Sequence, residues 1–203
     1  MGFPAETILD VAENEKASLI ALSTHGRTGL ARWAMGSVAE KVIRSACAPV
    51  LVVRSFLEDP TGKTVPRAPD EIRFKKILVC IDHGDTSLEI IPSAIQLAGI
   101  FDSQVLLLNV LESHLAHGPP IPHLTRAFER FREAGVKVDP NLRQGDPASQ
   151  IIDACAELGA DLIALTTHGR GGIKRWALGS VTERVLRSAA VPLLVVRTGR
   201  PIR

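Results

Sequence analysis

The chain has 203 residues, a formal net charge of +2 at pH 7, 4% aromatic residues and no Tyr. This near-neutral charge and scarcity of rings argue against a nucleic-acid-binding surface, and no apolar run approaches the roughly 18 residues that a membrane span needs. Three cysteines (Cys47, Cys80 and Cys155) lie singly in apolar segments, which predicts small buried thiols in a reducing compartment. Because no signal-peptide pattern is visible, we expect a cytoplasmic protein that binds neither nucleic acid nor membrane.

Two stretches of the chain repeat each other. Residues 2–54 align without a gap onto residues 145–197, and 31 of the 53 aligned pairs are identical. Identity at that level indicates an internal duplication rather than two similar folding units. The first copy has no counterpart of residues 73–144, which predicts a half-domain at 1–54, a linker at 55–72 and a complete domain at 73–203.

The first copy predicts two helices and two strands. Pro4 suits the first turn of a helix at 5–14, and a second helix is expected at 37–45. The apolar runs 19–22 and 50–53 predict short buried strands. Strands that are apolar throughout and alternate with helices are typical of a parallel sheet covered on both faces.

The segment 55–72 is polar and contains three prolines, which predicts an extended linker. The second copy then extends the pattern to a full unit. Strands are expected at 76–81, 105–110, 136–142, 162–165 and 193–196, and helices at 87–98, 124–134 and from Asp146 through Leu158, with a last helix beginning at Ser180. Pro140 places the third of these strands at a sheet edge. The sequence therefore predicts an α/β fold with a doubly wound, five-stranded parallel sheet plus a half-domain repeat.

Local signals mark several of these helix ends. Gly99 and Gly135 are expected to stop two helices, and Asp146 is expected to cap another. The spacing of Ser180 and Glu183 is that of a capping box, in which each side chain bonds a first-turn amide.

The stretch 167–187 follows an apolar run, carries glycines at its start and then leads into a helix. Small residues allow backbone N–H groups to approach an anion, and a helix N-terminus favours negative charge. The pair Gly179-Ser180 could also be only a helix cap. Because Asp82, Val110 and this loop all lie at the carboxyl ends of strands, where doubly wound sheets bind ligands, the stretch is a candidate phosphate site.

These residues resemble those of a known protein family. Residues 73–198 resemble the universal stress protein family, and residues 2–54 resemble the C-terminal half of a second such domain. Nucleotide-binding members carry the motif G-x2-G-x9-G-[ST]. Here Gly169, Gly179 and Ser180 fit that motif, while Thr166 stands in place of the first glycine.

The resemblance implies that the chain binds ATP, or AMP or ADP. Asp82 would accept a hydrogen bond from the ribose and Val110 would hold the adenine. The sugar and phosphates would be lined by Leu165, Thr166, Gly169, Gly179, Ser180 and Val181. Asp82 could instead cap a turn, and the Thr166 side chain could either narrow the groove or contribute a contact.

Other polar residues near this loop have competing interpretations. His168 is expected to pack or orient the loop, because no spacing suggests a catalytic relay. Arg170, with Lys174 and Arg175, could neutralise phosphate or form a solvated face. Trp176 and Trp33 are expected to pack between loop and sheet, or to lie at a subunit contact. His114, His117 and His123 are interrupted by prolines, which predicts a solvated loop rather than a metal site.

The resemblance implies a regulatory, stress-response role rather than a dedicated enzyme. Any ATP hydrolysis should be slow, although Asp82 and the phosphates could share Mg²⁺ or Mn²⁺. Val50–Val53 is expected beside Leu193–Val196, and the edge strand 19–22 is expected to pair with another molecule's equivalent edge or with a swapped segment, giving a homo-oligomer. The alternatives are a nucleotide-free dimerisation module and a true hydrolase of the same fold.

Overall fold

A computed structural model describes residues 3–23, 36–53, 73–112, 122–167 and 178–199, and the backbone of two short strands at 56–58 and 64–66. The described helices and strands alternate along the chain. In chain order they are α1 (Pro4–Asn14), β1 (Ile20–Ser23), α2 (Ser37–Ser45), β2 (Val50–Val53), β3 (Phe56–Glu58), β4 (Thr64–Pro66), β5 (Lys76–Cys80), a 3₁₀ helix (Asp85–Ile90), α3 (Ile91–Phe101), β6 (Gln104–Leu111), α4 (Pro122–Glu133), β7 (Val138–Gln144), α5 (Pro147–Leu158), β8 (Leu162–Thr166), α6 (Ser180–Ser188) and β9 (Leu193–Val196).

One seven-stranded sheet runs through both copies of the repeat, in the order β1-β2-β9-β8-β5-β6-β7. The five strands of the second copy are all parallel, which confirms the predicted doubly wound sheet. β7 contains Pro140 and lies at the end of the sheet, as predicted, because an edge strand tolerates a missing N–H donor.

The two copies join where β2 pairs with β9, and this is the sheet's antiparallel junction. Leu51 lies opposite Leu194, and these two residues occupy equivalent positions in the repeat. Val50 pairs with Val195, and Val52 pairs with Leu193. The pairing is therefore symmetric about the Leu51–Leu194 pair, which confirms the predicted pseudo-two-fold contact inside one chain.

The sheet separates two apolar cores. On one face β-strand side chains pack against α1, α2, α5 and α6, and on the other they pack against α3, α4 and the 3₁₀ helix. Successive strand residues point to opposite faces, so Ile163 and Leu165 enter the first core while Leu162 and Ala164 enter the second. Burial on both faces is why these strands are apolar throughout.

The helix after β5 differs from the prediction. A 3₁₀ helix covers Asp85–Ile90, and the α-helix begins only at Ile91, where Pro92 sits in the first turn. The expected stop at Gly99 is wrong, because α3 continues to Phe101 and the chain turns at Asp102, which adopts φ 52° and ψ 48°. A Cβ at Gly99 would meet no atom within 4 Å, so this glycine is an ordinary helical position.

Within the predicted linker, β3 and β4 pair as an antiparallel hairpin.

Cys155 is buried as predicted, but the prediction is wrong for Cys47, which is exposed. Burial and the nearby Asp161 raise the pKa of the Cys155 thiol to about 11. Among the described helices, none combines the length and apolar character needed to cross a membrane.

The predicted cap of α5 is confirmed. The Asp146 Oδ2 accepts a hydrogen bond from the Ser149 N–H at 2.9 Å, and its Oδ1 accepts one from Arg184 Nη1 at 2.7 Å. The equivalent helix in the first copy, α1, begins after Phe3, which makes no side-chain cap. The duplication thus offers a capped helix and an uncapped one in the same chain.

Asp146→Ala is expected to lower the free energy of unfolding by about 1 kcal/mol at pH 7, because it removes an N-cap. The hydrogen bonds from Arg184 and Ser149 hold the pKa of the Asp146 carboxyl well below its usual value of about 3.9. The native pKa is lower than the unfolded one, so this stabilisation is complete above about pH 5 and is lost as pH falls through the native pKa.

Urea denaturation at pH 7 and at about pH 3 measures both effects. The difference in the free energy of unfolding between wild type and Asp146→Ala should be smaller at the lower pH. Phe3→Ala is the matched control, because it removes an exposed side chain that caps nothing. A wild-type-like stability of Asp146→Ala at pH 7 would contradict the prediction.

Candidate functional site

The strand order places a crevice at the carboxyl ends of β5 and β8. These strands are neighbours in the sheet, yet the chain proceeds from β5 to β6 on one side and from β8 to β9 on the other. Val79 lies opposite Ala164, so the two strands end at the same edge. Such a switch point is where doubly wound sheets bind ligands.

Asp82 follows β5 at this edge and is half-buried. Its Oδ1 accepts a hydrogen bond from the Gly84 N–H at 2.7 Å, so the carboxylate does cap the turn that leads into the 3₁₀ helix. The Ser87 hydroxyl closes the same turn by donating to the Gly84 carbonyl at 2.7 Å. A carboxylate has further acceptor capacity beyond one hydrogen bond, so the turn orients Asp82 without exhausting it.

Val110 lies near the end of β6, half-buried at the margin of the core that contains Leu165. Its neighbour Asn109 is fully buried, and Asn109 Nδ2 donates to the Ile81 carbonyl at 2.7 Å. This bond fixes the end of β6 against the residue that precedes Asp82. Asn109 is not among the residues predicted from the sequence, although an amide inside the apolar run VLLLNV is the signal that could have revealed it.

The end of β8 presents Leu165 and Thr166, whose side chains are both buried. Leu165 lies in the same core as Val110, whereas Thr166 pairs with Val196, which belongs to the opposite core. The alternation of strand side chains therefore places the Thr166 side chain on the other face of the sheet from Leu165.

Helix α6 begins at Ser180, as predicted, but the expected capping box is wrong. The N-cap is Gly179, which has φ −61° and ψ 145° and provides no side-chain bond, and the Ser180 side chain is exposed at the first helical position. Glu183 instead pairs with Arg187, one turn further along. In the other copy α2 starts in the same way after Gly36.

The Gly179 amide is also not available to a ligand. It donates to the Thr167 carbonyl at 2.8 Å, which ties the start of α6 to the end of β8. The amides that follow it, at Ser180 and Val181, belong to the first turn, where no intrahelical acceptor exists. Val181 is half-buried against the core, and the Gly179–Thr167 bond holds the start of α6, which is the positive end of the helix dipole, beside the carboxyl end of β8.

The remaining predicted residues of the loop lie outside the described part of the chain. They are His168, Gly169, Arg170, Lys174, Arg175, Trp176 and, in the first copy, Trp33. Of the three clustered histidines, His114 and His117 also lie outside it. His123 belongs to α4 rather than to a loop, and its Nε2 lies 3.1 Å from Asp85 Oδ1. The described residues contain no group of three His, Cys, Asp or Glu arranged to hold a metal ion.

Comparison with known proteins points to the same family as the motif does. The model of the universal stress protein family matches residues 1–54 and 73–197. Universal stress protein MJ0531 of Methanocaldococcus jannaschii is 33% identical over 140 residues, which cover 61% of this chain and 82% of the relative.

Solved structures extend the similarity to the whole chain. A universal stress protein from Archaeoglobus fulgidus matches 98% of this chain with a TM-score of 0.68 and 22% identity, and the match spans 66% of that protein. A universal stress protein solved in complex with cAMP matches 63% of this chain and 99% of its own, with a TM-score of 0.54 and 24% identity. Since the family model covers both copies of the repeat, the chain belongs to the universal stress protein family.

Proposed function

We propose that residues 73–198 bind one adenine nucleotide per chain, ATP or a lower phosphate, and that occupancy regulates a stress response. The observation that carries this proposal is that Asp82, Val110 and the start of α6 lie at the same edge of the sheet. A carboxylate suits a ribose hydroxyl, an apolar side chain suits a base, and first-turn amides suit phosphate. That a protein of this fold has been solved with cAMP supports an adenine nucleotide as the ligand class.

Within residues 1–203 we expect one site, because residues 1–54 are proposed to be a half-domain, joined through a linker at 55–72, that lacks part of the site. It retains a helix start at Gly36 and Ser37 like that of α6, but it has no counterpart of Asp82 or Val110. Isothermal titration calorimetry with ATP should give one site per chain. Two equal sites would show that the phosphate end alone is sufficient.

We expect a binding protein with at most slow ATP hydrolysis. Asp82 and the phosphates would be the oxygen ligands of any Mg²⁺ or Mn²⁺ that accompanies the nucleotide. The turnover expected of a true hydrolase, above about one per second, would contradict this assignment. Three free cysteines support a reducing, cytoplasmic location.

The rival function is a nucleotide-free interaction module, which the strand pairing of β2 with β9 between the two copies of the repeat favours. Native mass spectrometry of freshly purified protein separates the two, because co-purified ATP or AMP is expected only for the binding protein. Absence of nucleotide, together with no binding in calorimetry, would favour the interaction module.

We also propose that the chain forms a homo-oligomer through β1, which lies at the end of the sheet. The equivalent strand of the second copy, β8, has β5 as its neighbour on the corresponding edge. Size-exclusion chromatography with light scattering should report a species larger than one chain at micromolar concentration. A strictly monomeric protein would contradict this part of the proposal.

A further inference from the structure

Thr182, the third residue of α6, is 4% exposed and makes a contact that its helix does not require. Its Oγ1 donates a hydrogen bond to the Thr166 carbonyl at 2.9 Å, and lies 3.5 Å from the Thr167 carbonyl. Threonine hydroxyls within helices commonly bond a carbonyl of the preceding turn. This one crosses instead to the end of β8.

The bond joins the two sides of the proposed phosphate site. The Gly179 N–H donates to the Thr167 carbonyl at 2.8 Å, and Thr182 adds a second tie one turn further into the helix. Two hydrogen bonds at different positions along the helix axis restrain the distance between the start of α6 and the end of β8. They also restrain the tilt of α6 relative to that strand. The orientation of the first-turn amides of α6 relative to Asp82 depends on that tilt.

The first copy of the repeat shows what happens without the hydroxyl. The residue equivalent to Thr182 is Ala39, also buried, which has no donor. Nevertheless α2 starts after a glycine with the same φ and ψ and is nine residues long, as α6 is. Forming and capping this helix therefore does not need the threonine, and the hydroxyl occurs in the copy that also contains Asp82.

From this contrast we infer that Thr182 is a positioning residue that aims the start of α6 at the phosphates of the bound nucleotide. The inference rests on the proposed function. It differs from that function in predicting which part of the ligand is affected, because adenosine lacks the phosphates and should be insensitive to the tilt of α6.

The experiment measures dissociation constants for ATP and adenosine by calorimetry in wild type, Thr182→Val, Thr182→Ser and Thr182→Ala. Thr182→Val and Thr182→Ala should weaken ATP binding roughly two- to tenfold, as expected for one lost hydrogen bond, and leave adenosine binding unchanged. Thr182→Ser should restore ATP binding because it keeps the donor. Ala is tolerated at this position of α2, so Thr182→Ala provides a folded variant even where valine is poorly accommodated.

Ala39→Ser is the matched control in the first copy and should change neither affinity. Equal losses of ATP and adenosine binding in Thr182→Ala, or a failure of Thr182→Ser to restore ATP binding, would overturn the inference while leaving nucleotide binding intact. A wild-type protein that binds neither compound would instead refute the proposed function, and the inference with it.

Discussion

Gly179→Val should weaken ATP binding by about 10- to 150-fold, the equivalent of one lost charge-assisted hydrogen bond. Valine adopts the φ of −61° and ψ of 145° found at Gly179 without strain, and it keeps the N–H that donates to the Thr167 carbonyl. What changes is the bulk beside the first-turn amides of α6, where the phosphates are proposed to lie. The prediction is checked by calorimetry with ATP.

The duplication supplies a control for this substitution. Gly36 has the same backbone angles and the same N-cap position in α2, so Gly36→Val carries the same cost to a helix start. Residues 1–54 contain no equivalent of Asp82, so ATP binding of Gly36→Val should remain at the wild-type level. Equal losses in the two variants would mean that valine acts through stability, and no loss in Gly179→Val would refute the site.

Leu194→Ala should lower the free energy of unfolding by about 2–5 kcal/mol, the range for truncating a buried leucine. Leu194 is fully buried at the centre of the pseudo-two-fold contact, where it lies opposite Leu51 on the same face of the sheet. Leu51→Ala should cost less, because Leu51 is 9% exposed. Urea denaturation followed by circular dichroism measures both values.

A double-mutant cycle tests the contact between the two copies directly. Leu51 and Leu194 are cross-strand neighbours, so truncating both should deviate from additivity by about 0.5–3 kcal/mol. Leu78→Ala is a comparison in the same sheet but away from the junction, and its cost should add to that of Leu51→Ala. Strict additivity of Leu51→Ala with Leu194→Ala would argue against the internal pairing of β2 with β9.

The confirmed cap at Asp146 and the wrong one at Ser180 differ for a physical reason. The residue types around Gly179-Ser180 and Asp146 both suit a helix N-terminus, but a cap depends on which residue is the last non-helical one. At Asp146 the acidic residue occupies that place and bonds the Ser149 amide. At α6, Ser180 is already the first helical residue, and Gly179 before it donates its N–H to the Thr167 carbonyl at the end of β8. A shift of one residue is decided by tertiary contact and not by composition.

Some of the candidate site residues could be recognised from the sequence, and others could not. Asp82 and Val110 could be placed at strand ends from the pattern of apolar runs alone, and the structure puts them at the same edge of the sheet. Asn109 and Thr182 could not be singled out, because a polar residue in an apolar run shows its role only when its partner is known. Their partners, the carbonyls of Ile81 and Thr166, lie 28 and 16 residues away in sequence.

By itself the amino-acid sequence determined the alternation of helices and strands, the duplication and the family, because hydrophobic periodicity and repeated text are local properties. Only the tertiary structure decided that Gly179 is the N-cap of α6 and that the Gly179 amide is already bonded to the Thr167 carbonyl. It also decided that Leu51 and Leu194 lie at the symmetry centre of the sheet. Each of these depends on which distant backbone groups meet, and such meetings are set by packing of the whole chain.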